Sequence, residues 1–250
     1  MKPAKIARRL VEAIERRTSL EPGWEGLDVA DAYAVQDAVI DLLGRPVICA
    51  KLGLTSRAKQ EQMQVDEPLY GWLVEGSAIE PGGYLACDEL IQPRAEPEIA
   101  FLTSSDLSGP GVTAAHVLAA TAAVTPAIDV LDSRYSGYRF TLPDVIADNA
   151  SAARFVVGDP VPVAGIDLRR VGCVFSKSGK VVATAAGAAV LDHPAAAVAW
   201  FVRSLAARGR SLPAGSLVLA GALTAAVPVA PGDTVTVEID RIGAVEMAVR

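Results

Sequence analysis

Along the first 45 or so residues, apolar side chains recur at helical spacing. Ile6, Leu10, Val11 and Ile14 stand among Lys, Arg and Glu, which predicts an amphipathic helix. Asp28 is placed to cap a second helix carrying Tyr33, Val35, Val39 and Leu42, which Gly44 and Pro46 end. Glu21-Pro22-Gly23 marks the turn between them. From Val47 the pattern shortens into apolar runs between Gly and Pro. Strands are expected over Ile99–Leu102, Ala127–Leu131, Phe155–Val157, Val171–Phe175, Val181–Thr184, Leu217–Ala220 and Thr234–Ile239. Lys177-Ser178-Gly179-Lys180 reads as the turn of a hairpin. Two helices interrupt the strands. One starts near Thr113 and runs through Val117 and Leu118. The other has Asp192 as its N-cap, carries Val198, Phe201, Val202 and Leu205, and ends at Gly209. Strands outnumber helices and do not alternate regularly with them, which favours α+β over a doubly wound sheet. The expected division is a helical N-terminal cap at 1–46 and a mixed-sheet domain at 47–250, with no internal repeat.

Composition narrows the partners. The chain has 250 residues, 51 % of them hydrophobic but only 5 % aromatic, which suits a closely packed soluble protein. No apolar run approaches the roughly 20 residues that cross a bilayer. The basic start, Met1-Lys2-Pro3-Ala4-Lys5, leads into a charged amphipathic stretch rather than a secretory signal, so a cytoplasmic protein with no membrane partner is expected. Net charge is −6 with Lys and Arg scattered, which argues against nucleic acid. Cys49, Cys87 and Cys173 form no CxxC pair and read as reduced packing residues. His116 and His193 are too few for a histidine-rich centre, so a metal here would rely on oxygen ligands.

Four segments can carry chemistry. In Gln92-Pro93-Arg94-Ala95-Glu96-Pro97-Glu98, an extended backbone points Glu96 and Glu98 to one face, about 7 Å apart. Two like charges there suit Mg²⁺ or Mn²⁺; an exposed edge strand with solvated glutamates is the plain alternative. Asp129 interrupts an apolar run, where a carboxylate is costly unless paired or metal-bound. Close by, Asp132 and Arg134 suggest a structural ion pair. Lys51, before a glycine turn, can act in proton transfer or hold a carboxylate, or is simply a surface lysine at a strand end. Asp148-Asn149-Ala150-Ser151 can offer donors to a substrate carboxylate, and a polar turn explains it equally. Gln62-Met63-Gln64-Val65 with Pro68-Leu69-Tyr70-Gly71 suggests a loop over a site, or plain packing. Thr224 ends another strand, and His193-Pro194 shapes a helix start.

KLGLTSRAKQEQM, EPLYGWL, PRAEPEIAF, LDSRYSGYRFTLPDVIADNAS, AAVLDHPAAAVAW and LTAAVPVAPGDTV occur in one order between Lys51 and Val235, and the resemblance they carry extends from about Tyr33 to the C-terminus. Together they resemble the hydratase/decarboxylase family of meta-cleavage pathways, within the fumarylacetoacetate hydrolase superfamily. LDSRYSGYRF, with its two tyrosines, is more similar to the 4-oxalocrotonate decarboxylases than to the neighbouring 2-oxopent-4-enoate hydratases. The resemblance implies a mixed β-sheet core of roll or barrel type with a helical N-terminal part, and a homo-oligomer that can associate with a companion hydratase. It also implies one divalent metal and a small 2-oxo acid substrate. Glu96, Glu98 and Asp129 fall on its metal ligands and Lys51 on its active-site lysine. Ser151 and Thr224 fall in segments that line its pocket. Three departures stand out. Asp129 replaces the usual Glu and is about 1.5 Å shorter in reach, Gln92 stands where His is common, and Ala222 replaces a glycine. The activity implied is decarboxylation of 2-oxo-3-hexenedioate. Hydration of 2-hydroxypenta-2,4-dienoate, or a non-catalytic partner subunit, are the alternatives.

Overall fold

In the computed structural model, residues 3–56, 60–61, 65 and 67–250 are described. Helix α1 (Pro3–Arg16) buries Ile6, Ala7, Leu10 and Ala13, one stripe at helical spacing. Helix α2 (Val29–Leu43) starts at Asp28, whose carboxylate accepts from the Asp31 amide, and ends at Gly44 in the left-handed region. The two pack on each other, on a short helix over Leu142–Ala147 and on Tyr135. The N-terminal helices therefore share a core with residues far along the chain.

The main sheet holds β1 (Val47–Gly53), β2 (Leu69–Val74), β4 (Arg94–Thr103), β5 (Thr121–Leu131), β6 (Ala152–Val157) and β10 (Leu217–Ala222), in the order β2-β1-β10-β4-β5-β6. Only β1–β10 is parallel among these neighbours; the rest are antiparallel. Short strands β7 (Val161–Pro162) and β11 (Val227–Pro228) flank β5 and β4. A second sheet, β3-β13-β12-β8-β9, comprises Tyr84–Leu85, Gly243–Val249, Thr234–Ile239, Gly172–Lys177 and Lys180–Ala186, and packs β12 and β13 against β5. The mixed sheets and few helices make an α+β fold.

Several expectations need correction. Glu96 and Glu98 do not lie on an exposed edge, because β4 is held between β10 and β5 and is buried almost throughout. Leu69-Tyr70-Gly71 is not a loop but the start of the wholly buried β2. Gln62, Met63 and Gln64 lie outside the described residues. The helix over Pro194–Ala207 is capped by His193, not Asp192: Pro194 takes the first helical position, and His193 Nδ1 accepts from the Ala195 amide at 3.0 Å. It closes at Arg208, with Gly209 beyond it in the left-handed region. Ser178 and Gly179, both at positive φ, make the β8–β9 hairpin as expected.

Candidate metal centre

Alternation along β4 sends Glu96 and Glu98 to one face, and the β4–β5 register sets Asp129 directly opposite Glu96. One oxygen from each of the three carboxylates lies within 4.8 Å of the others, and all three residues are buried. Lys51 reaches the same point from β1. Its Nζ is 2.9 Å from Asp129 Oδ2 and donates to the Ala150 carbonyl at 3.3 Å, so it is no surface lysine. Burial alone would pull its ammonium down, but Asp129, Glu96 and Glu98 outweigh this and hold it above its ordinary value. Lys51 therefore stands as a cation in the resting site.

Glu98 is the most crowded group. Burial, then the charge of Asp129, push its carboxyl well above the usual carboxylate range against the opposing pull of Lys51. A register shift between Leu219 and Ala222 in β10 turns the Gly221 amide onto Glu98 Oε2 at 2.6 Å. Gly221 has φ +108, and a Cβ there would meet Thr55 Oγ1 at 2.0 Å, so only glycine can present that amide. Glu98 Oε1 is buried with no hydrogen-bond partner among the described residues. An orphaned buried oxygen within a cluster of three hard donors fits a divalent cation of the Mg²⁺ or Ca²⁺ type.

Beside the cluster, Asn149, Ala150 and Ser151 all take left-handed backbone, with φ of +52, +54 and +56. The turn passes so close to β2 that a Cβ on Gly71 would sit 2.4 Å from the Asn149 carbonyl. A buried polar network holds it. Asp148 pairs with Arg134 Nε and accepts from the Ser133 and Ser151 hydroxyls at 3.4 and 3.3 Å. Burial raises the Asp148 carboxyl to about 6, against the lowering by Arg134. Arg134 thus pairs with Asp148, not with Asp132. The Asp132 carboxylate instead accepts from the Ile91 and Gln92 amides.

A cavity of about 340 Å³ opens over this floor. Lys51, Glu96, Ser151, Arg94 and Tyr138 supply its polar lining, and Leu54, Leu69, Leu131, Phe140 and Val145 much of its apolar wall. Ser151 reaches the cavity, whereas two other expected binders do not line it. Both polar ends of the Asn149 amide are bonded to the Trp72 backbone at 2.8 and 2.7 Å, which makes it a tie between the turn and β2. Thr224 turns its hydroxyl to the Ala225 carbonyl; its neighbours Ala225 and Ala226 form the wall instead. Gln92 braces the following loop through Ser133, Tyr135 and Gly137. Sequence reasoning missed Arg94 and Tyr138. The signal for Arg94 was present, since it precedes Glu96 by two residues and shares its face of the strand. All three cysteines are free, and burial lifts the Cys49 thiol well above its usual range.

Residues 45–250 match the model of the fumarylacetoacetate (FAA) hydrolase C-terminal family. The chain is 47 % identical over 218 residues to a 4-oxalocrotonate decarboxylase of Pseudomonas sp. (strain CF600), covering 86 % of this chain and 83 % of that one. It is 38 % identical over 247 residues to a 2-hydroxyhexa-2,4-dienoate hydratase of Comamonas testosteroni, with coverage of 94 % and 92 %. Among solved structures, it superposes on the 4-oxalocrotonate decarboxylase of Pseudomonas putida G7, complexed with magnesium and adipate. The TM-score is 0.96 at 38 % identity, over 99 % of this chain and 97 % of that one. With its fold and most of its length thus matched, the chain belongs to the fumarylacetoacetate hydrolase family.

Proposed function

We propose that this chain is a divalent-metal-dependent lyase that decarboxylates 2-oxo-3-hexenedioate (4-oxalocrotonate), or a close analogue, to 2-hydroxypenta-2,4-dienoate. The observation that carries the proposal is the convergence of Glu96, Glu98 and Asp129 on one buried point under a cavity. The decarboxylase relatives, one of them complexed with magnesium and a six-carbon diacid, favour this substrate. In this reading Glu96, Glu98 and Asp129 hold Mg²⁺ or Mn²⁺. The ion supplies an electron sink for the 2-oxo acid end of the substrate. The leaving carboxylate sits on a carbon conjugated through the double bond to the ketone, so its bonding electrons can pass to that oxygen.

The protein's own residues do the rest. Lys51, charged and 2.9 Å from Asp129, adds positive charge where electrons accumulate and has a proton to give the product. Ser151, held by Asp148, orients the substrate from the left-handed turn. Leu54, Leu69, Phe140 and Val145 exclude water from the conjugated chain. Purified protein with Mg²⁺ and 2-oxo-3-hexenedioate is expected to release one CO₂ per dienoate formed; no release would overturn the proposal. The hydratase reading draws on the Comamonas relative and the same cluster. Conversion of 2-hydroxypenta-2,4-dienoate to 4-hydroxy-2-oxopentanoate without CO₂ release would establish it, and absence of both reactions would favour a partner subunit. Assembly as a homo-oligomer that a companion hydratase can join belongs to the same proposal. Exposed Val181 and Val182 on the outermost strand of the second sheet support it. Among the described residues no helix is long and apolar enough to cross a membrane.

A further inference from the structure

The geometry points to Arg94, braced by Tyr138, as the residue that makes this cavity select dicarboxylates over monocarboxylates. Among the described residues Arg94 forms no ion pair, although it lines the cavity that holds the carboxylate cluster. Its guanidinium carbon instead lies 4.1 Å from the centre of the Tyr138 ring. The Tyr138 hydroxyl donates to the Gln92 carbonyl at 3.2 Å, so the ring itself is fixed. Burial holds the Tyr138 phenol above its ordinary value, so it stays uncharged and leaves the guanidinium charge uncancelled. A planar cation stacked on an aromatic face keeps its in-plane N–H groups free for a bidentate anion. Two buried cations near the cavity are already matched, Lys51 with Asp129 and Arg134 with Asp148.

Spacing supports the same assignment. Arg94 and Glu96 share one strand face, about 7 Å apart along β4. The two carboxyl carbons of an extended six-carbon diacid are about 6 Å apart, given C–C bonds of about 1.5 Å. A ligand with one carboxylate at the cluster therefore carries its second to the neighbourhood of Arg94. This rests on the proposed cluster-bound orientation of the substrate, and it has a kinetic consequence. A carboxylate that departs as neutral CO₂ carries its charge in the ground state and loses it on the way to the transition state. A guanidinium on it strengthens binding without speeding the chemistry.

The test uses the full chain with Mg²⁺ and two probes of equal length, adipate and hexanoate, with affinity read by calorimetry. Native protein is expected to favour adipate, and Arg94→Met to weaken adipate about tenfold to hundredfold while leaving hexanoate unchanged. Arg94→Lys should keep part of the native preference for adipate, and Tyr138→Phe most of it, since the ring under Arg94 remains and only its tie to Gln92 is lost. With 2-oxo-3-hexenedioate, Arg94→Met should raise KM and leave kcat equal or higher. Equal native affinity for the two acids would overturn the assignment. So would an unchanged adipate affinity in Arg94→Met, or an equal loss for both acids. If native protein released no CO₂ yet lost adipate selectivity on Arg94→Met, the assignment would stand and the decarboxylase reading would fall.

Discussion

Two buried carboxylates lie side by side, Asp148 and Glu98, and they differ in how fully their oxygens find donors. Asp148 is surrounded by donors: the Arg134 guanidinium, the Arg134 amide, and the hydroxyls of Ser133 and Ser151. Arg134 in turn bonds the carbonyls of Asp132, Asp148 and Ala152. That network is closed within the protein. At Glu98, where three carboxylates converge and Lys51 reaches Asp129, Oε1 lacks any partner among the described residues. A buried polar group whose needs are met within the fold holds a shape. One whose needs are unmet, kept buried by surrounding strands, marks where something else must bind.

The sharpest way to break the contrast is Glu98→Gln. Burial and its neighbours already favour the protonated acid in the cation-free site, and a neutral amide of the same shape can still accept from Gly221. The variant is expected to fold with native stability but to lose its response to metal. Native protein with Mg²⁺ at 100 times its Kd should gain about 2.7 kcal/mol in unfolding free energy, and the variant none. Decarboxylation should fall by on the order of a thousandfold. An unchanged thermal response to Mg²⁺ would remove Glu98 from the centre.

Arg134→Met probes the other side. It leaves Asp148 buried without its counter-ion and takes a donor from three backbone carbonyls, at an expected cost of about 3–5 kcal/mol measured by urea unfolding. Because the network only shapes the neighbouring turn, the folded fraction should still gain stability on adding Mg²⁺. A loss below about 1 kcal/mol would mean that the two carboxylates are less different than their geometry indicates.

How much of this was legible beforehand follows from which interactions are local. Period-two alternation alone put Glu96 and Glu98 on one face, and the caps at Asp28 and Thr113 follow from residues three positions apart. The metal-ligand assignment of Asp129, by contrast, came from motif resemblance. Its place opposite Glu96 depends on strand register, which no local pattern fixes. The bulge that turns Gly221 onto Glu98 was equally silent, and so was the pairing of Arg134 with Asp148, fourteen residues on, rather than with Asp132 two residues away. Asn149 misled for a related reason. A small polar residue near a site looks like a ligand contact until the turn's close approach to β2 gives its amide a backbone to bind.

The smallest expected effect belongs to Asp129→Glu, and it tests the contact between the cluster and Lys51. The added methylene extends the carboxylate by about 1.5 Å, restoring the reach that the resemblance associates with this position. It must do so at a site with no exposure, opposite Glu96 on one side and Phe155 on the other, where overpacking costs roughly 1–3 kcal/mol. The longer side chain also alters the 2.9 Å contact with Lys51. These effects oppose one another: greater reach toward the ion favours binding, whereas crowding and a displaced lysine oppose it. Mg²⁺ affinity, read from the metal-induced thermal shift, should therefore stay within about tenfold of native, the change produced by roughly 1.4 kcal/mol. A much larger loss would show that the neighbouring strands are built around the shorter acid. No change in affinity alongside a large drop in turnover would instead place the contribution of Asp129 in holding Lys51 rather than the ion.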